Sequence, residues 1–225
     1  MTETRLAKPW RAAVPVSALL WLAVLSLPAW AQRAPMPKMS DDEAKMQLAD
    51  GTELETRIDG DFDGDGDADT VFVGRGDDTR VLVAMHAYRD EFDLGHEPVG
   101  KLQLDAYPKG AATLSIRKGV LVIEDLTGGT TATQSTYRYR YDAKAKRMRL
   151  VGLDAERYSA TGSHGTVKLS WNLLNGDRVV ERGEVNTSGK DDAAIVYAPP
   201  VRDKRPSKPL YMEDTPSPDD LIDAL

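Results

Sequence analysis

Between about Glu53 and Val185 apolar and polar residues alternate in short runs, each ended by Gly, Asn, Asp or Lys-Gly. A period of two broken by turn residues predicts strands, and short breaks predict antiparallel neighbours. Strands are expected over residues 54–58, 70–74, 80–88, 101–104, 112–116, 120–126, 135–141, 147–153, 166–173 and 178–185. The alternation is clearest at 137–141, where Tyr137, Tyr139 and Tyr141 fall on one face and Arg138 and Arg140 on the other. Lys118-Gly119 and Asn175-Gly176 stand between strands as tight turns, the second carrying the Asn-Gly signal of a type I′ turn. The pattern predicts an all-β, mainly antiparallel meander, propeller-like or sandwich-like.

Three stretches depart from it. Arg5, Lys8 and Arg11 precede an uncharged run that ends in Ala29-Trp30-Ala31. That order of basic start, short apolar core and small-residue cleavage site predicts a signal peptide over residues 1–31, hence a periplasmic or secreted protein not embedded in the membrane after cleavage. Residues 32–50 form a polar lead-in, where Ser40 and Glu43 have capping-box spacing and predict a short peripheral helix. Residues 51–198 are the β domain. In residues 199–225 prolines recur among charges, a composition unsuited to a sheet or a core, and the expected tail is loosely docked and separable, with at most one terminal helical turn.

The net charge of −7 becomes −9 once the leader takes Arg5, Lys8, Arg11 and Glu3 with it. Such a surface repels nucleic acid, which is excluded as a partner. The chain has no cysteine, so a zinc–thiolate site, a cysteine nucleophile and disulfide stapling are excluded, and any staple is non-covalent or a metal.

The acid is concentrated between Asp59 and Asp69, where alternate positions are aspartate. Adjacent carboxylates repel one another, and a hard cation that takes six to eight oxygens relieves the repulsion, so the run predicts a Ca²⁺ site. Two registers fit D-x-D-x-D-G-x-x-D, and the one beginning at Asp61 is preferred because Asp69 runs directly into a strand and Phe62 can anchor the loop. In it Asp61, Asp63, Asp65 and Asp69 offer carboxylates, Asp67 offers its backbone carbonyl, and Asp59 stands outside the direct ligands. An EF-hand is excluded, because the twelfth position is Phe72 and not Glu.

Residues 61–74 resemble the FG-GAP repeat of integrin α-chain propellers and its bacterial VCBS relatives, in which a D-F-[DN]-G-D-G-x-x-D loop leads straight into a strand. The resemblance implies a calcium loop within a β-rich exported protein. It covers one short segment, and no second copy of the loop follows, as a complete propeller would require.

Other chemistry is sparse. His86, His96 and His164 lie in no zinc-ligand spacing, and Ser115 to Lys118 spells S-x-x-K without its companion motifs. Arg138, Arg140, Arg147 and Arg149 fall on one hairpin face, either solvated and balanced by neighbouring acids or open to an anionic polymer. The expected function is a non-enzymatic cell-envelope binding module for a protein or polysaccharide. An envelope hydrolase or enzyme inhibitor is the alternative.

Overall fold

The computed structural model describes residues 34, 36–188 and 193–225; the expected signal peptide lies outside them. The chain is all-β and antiparallel, in two sheets. The first has the order β1 (Glu53–Gly60), β2 (Asp69–Arg75), β3 (Arg80–Arg89), β4 (Leu94–Gln103). The second runs through β5 (Thr113–Arg117), β6 (Val120–Gly128), β7 (Thr131–Asp142), β8 (Arg147–Ser159), β9 (Thr166–Asn172) and β10 (Asp177–Val185), with β11 (Ile195–Tyr197) and β12 (Val201–Lys204) both pairing with β10. Each strand through β10 that has a partner in its sheet is hydrogen-bonded to its sequence neighbour, as expected for a meander with short connections.

Side-chain alternation assigns the two faces of the first sheet. Val71, Val73, Leu82 and Ala84 point into one core shared with Leu121, Ile123, Tyr137, Tyr139, Leu150 and Leu153 of the second sheet. The arrangement is therefore sandwich-like, and the described residues form two sheets rather than the blades of a propeller. Phe72, Val83 and Met85 point the other way and are covered by Met39, Ala44 and Leu48. Burial on both faces explains why β2 and β3 read as nearly continuous apolar runs.

The covering segment carries α1 (Asp41–Lys45), whose Ser40 Oγ accepts from the Glu43 N–H at 3.1 Å while Glu43 accepts from the Ser40 N–H. Its capping box is as expected, but the helix is not peripheral: Ala44 is fully buried and closes the outer face of the sheet.

The two turns behave differently. Lys118 and Gly119 both have positive φ, the backbone of a type I′ turn joining β5 to β6. At the β9–β10 connection only Gly176 has positive φ, and its N–H donates to Asn172 O, so a longer loop forms there and the type I′ expectation fails.

The tail also departs from expectation. Val201–Lys204 adds a strand beside β10, Tyr211 bridges to Arg149, and α2 (Pro218–Asp223) packs over β7 to β9. Met212 is fully buried and Ile222 nearly so, both within the shared core. Prolines do not oppose this docking, because the segment sits at a sheet edge and over a core mouth, where few ladder hydrogen bonds are needed.

One buried ion cluster ties the sheets together. The register of β1 shifts between Leu54 and Thr56, leaving Glu55 as the extra residue of a bulge. Its carboxylate takes both ends of the Arg80 guanidinium fork, at 2.8 and 2.7 Å, and also accepts from the Ala112 N–H. The remaining arm of Arg80 meets Asp125 of β6 at 2.9 Å. Arg80 has no exposed surface.

Candidate metal centre

The aspartate run forms the loop between β1 and β2. Gly64 and Gly66 both have φ of 90°, which a side chain rarely adopts, so the sharp winding depends on glycine at these positions. The winding turns backbone N–H groups toward carboxylates: Gly64 and Gly66 donate to Asp61, Asp65 to Asp63, and Asp67 to Asp65. Oxygens of Asp61, Asp63 and Asp65 then lie within 4.8 Å of one another. Three carboxylate oxygens from alternate positions at that separation can be bridged by one hard cation, with bond lengths of about 2.3 to 2.6 Å for Ca²⁺.

No cationic side chain contacts Asp61 or Asp65 among the described residues. Burial pushes the Asp65 carboxyl up, and the charges of Asp63, Asp67 and Asp61 add to the rise against the N–H of Asp67. The three-carboxylate cluster is thus chemically suited to a divalent cation and poorly neutralised without one.

The remaining members of the register are placed differently. The Asp67 carboxylate turns away to the Met36 N–H at 2.9 Å and toward Arg89 at 3.6 Å, in keeping with a residue expected to offer its backbone rather than its side chain. Asp69 shares the core face of β2 with Val71 and Val73 and is fully buried. Its two oxygens accept from the Phe62 and Ala87 N–H groups, at 2.8 and 2.9 Å, and it stands outside the cluster of three. Burial and the nearby Asp63 charge push its carboxyl up to about 7, against the opposing pull of those two N–H groups and of His86.

Phe62 anchors the loop as expected, buried at the edge of the core. Asp59 belongs to another network: it accepts from Arg57 and Thr70, at 2.9 and 3.0 Å. Burial alone would raise its pKa, but these bonds and the charges of Arg57 and Lys38 hold it low.

One participant was not foreseen from sequence. His86 lies on the same face of β3 as Leu82 and Ala84, which carries it to the loop, where Nε2 sits 2.9 Å from Asp63. Its ring stacks on Tyr141 at 4.9 Å between centroids. The signal was the strand register rather than any histidine motif. His96 pairs with Glu43 and His164 with Thr131, so the three histidines do not converge. Ser115 lies in the middle of β5 and Lys118 in the turn that follows it.

No protein-family model, no curated protein and no solved structure matches this chain. The resemblance to FG-GAP loops therefore rests on residues 61–74 alone.

Proposed function

We propose that this protein is an exported, calcium-binding β-sandwich module of the cell envelope, with the ion held by Asp61, Asp63 and Asp65 and the chain acting by binding rather than catalysis. The observation that carries the reading is the convergence of those three carboxylates in a glycine-wound loop, with no cationic side chain against Asp61 or Asp65 among the described residues. Calcium would supply charge neutralisation and a fixed loop conformation. Phe62 and Asp69 would pass that order to the core, since the Phe62 N–H is tied to the Asp69 carboxylate. A binding role is further supported by the second sheet, whose outer face around Gln134, Thr136, Asp154, Lys168 and Ser170 is a shallow groove of about 370 Å³.

Thermal melting in millimolar Ca²⁺ and in excess chelator tests the ion. An ion that binds only the folded chain raises stability by mass action, about 2.7 kcal/mol at a hundredfold excess over Kd. Coincident melting curves would remove calcium from the account.

A further inference from the structure

The arginines of the β7–β8 hairpin fall into two groups. Arg138 meets Asp154 at 2.7 Å, Arg147 meets Glu213 at 2.7 Å and lies over the Tyr211 ring, and Arg157 meets Asp219 and Asp223 at 2.9 and 2.6 Å. Arg140 and Arg149 have no such partner among the described residues. Yet they are registered directly opposite each other across the two strands. Residues so paired project from the same face with Cβ atoms roughly 4.5 to 5.5 Å apart, and like charges there are destabilising.

The pair borders a depression of about 380 Å³ whose lining also includes Lys144, Val151 and Leu174. The lone acid of that lining, Asp142, makes its hydrogen bonds elsewhere, accepting from the Lys144 and Ala145 N–H groups and from the Tyr211 hydroxyl, and feels Arg149 only through its charge. The Arg149 Nε is shielded from solvent and makes no hydrogen bond. In a chain of net charge −7, three cations against the single carboxylate of Asp142 leave this hollow with an excess of positive charge, which suits an anion from outside.

We propose that Arg140, Arg149 and Lys144 form a binding site for a phosphate group. Two planar guanidinium forks offer parallel N–H donors suited to a tetrahedral oxyanion, and the ammonium adds a point charge. A phosphate monoester carries about −1.5 to −2 charge at neutral pH and so answers more than one of the cations. Free phosphate and the phosphodiesters of an envelope polymer share the oxyanion that the forks read, but a diester carries a single charge, and a polymer would answer the several cations only through successive groups. No residue of the aspartate loop is used, so the site stands or falls independently of calcium.

Isothermal calorimetry of the calcium-free protein in chelator, at low ionic strength, would compare inorganic phosphate with a glycerol-phosphate oligomer. Saturable binding is expected, weakened about tenfold or more by Arg149→Ala, partly kept by Arg149→Lys, and changed less than about twofold by Arg138→Ala. Tighter binding of the oligomer would assign the site to a polymer, and tighter binding of inorganic phosphate to the free ion. Absence of binding for both at about 10 mM, or equal binding by the Arg149→Ala protein, would overturn the proposal. Melting gives an independent check: phosphate raises the wild-type midpoint, while Arg140→Gln raises the phosphate-free midpoint and abolishes the phosphate effect. A phosphate-free midpoint lowered by Arg140→Gln would contradict the opposed-charge argument.

Discussion

Two groups of carboxylates lie near opposite ends of β1, and the protein treats them in opposite ways. At the start of the strand Glu55, with Asp125 from the other sheet, surrounds the buried Arg80. There the guanidinium is held strongly charged: burial alone would lower its pKa, but the hydrogen bonds and charges of Glu55 and Asp125 raise it instead. Glu55, which takes the fork and an added N–H, is held low against its own burial, whereas Asp125 is pushed up by burial that Arg80 only partly offsets. At the far end Asp61, Asp63 and Asp65 crowd together, and among the described residues His86, against Asp63, is the one basic side chain that touches them. The first region carries its counter-charge in the chain; the second is built as though the counter-charge arrives from solution. Neutralising a carboxylate should therefore harm the first region and relieve the second.

The largest disturbance is truncation after Tyr197. It removes Met212 and Ile222 from the core and strips Thr215 to Asp219 from one wall of the cleft beside Asp125. Burial of two such side chains is worth about 3 to 6 kcal/mol, so the shortened chain should unfold at much lower urea or fail to melt cooperatively. A truncated protein as stable as the full chain would show that the observed docking contributes nothing. Arg80→Met comes next, at about 3 to 5 kcal/mol in urea titration, because it leaves two buried carboxylates without their cation. Replacing Glu55 by Gln and Asp125 by Asn in the same chain should recover much of that loss, and the calcium-induced shift should be the same in both variants.

A pH series separates the regions further. Burial pushes the Asp69 carboxyl from the ordinary carboxylate range of about 4 up to about 7, so the folded state binds the extra proton between these values. Its contribution to stability is then full below about pH 4 and disappears as pH rises through 7. In chelator, this amounts to a few kcal/mol of falling stability with rising pH, and Asp69→Asn should flatten that slope. An unchanged slope would mean that Asp69 does not hold its proton in the folded chain. The smallest effect is Asp65→Asn, expected to stabilise the ion-free protein by a few tenths to about 1 kcal/mol while removing the response to calcium. Destabilisation in chelator would break the comparison, since the loop would then not be under charge repulsion.

How far these regions can be read from sequence follows from the distance over which each is assembled. The loop ligands lie within a few residues of one another, so their spacing, the glycines and Phe62 are visible at once. The Arg80 cluster joins residues 25 and 45 positions apart, and Glu55 reaches it only through a bulge. No local pattern marks it. The strand pattern was legible where alternation was unbroken, as in β7, but Gly95, Pro98 and Gly100 concealed the first half of β4. The tail was misread because composition averages over residues, whereas single side chains such as Met212 do the anchoring. Asp69 was legible as an acid of the loop but not as a capping group, because its partner Ala87 comes from β3.

Calorimetric titration of the calcium-free protein with Ca²⁺ tests the central claim most directly. The account predicts one ion per chain, with tight binding lost in Asp63→Ala and Asp65→Ala and only modestly weakened in Asp59→Ala, whose carboxylate belongs to Arg57 and Thr70. Absence of binding, or an Asp59→Ala protein as impaired as the other two, would contradict it.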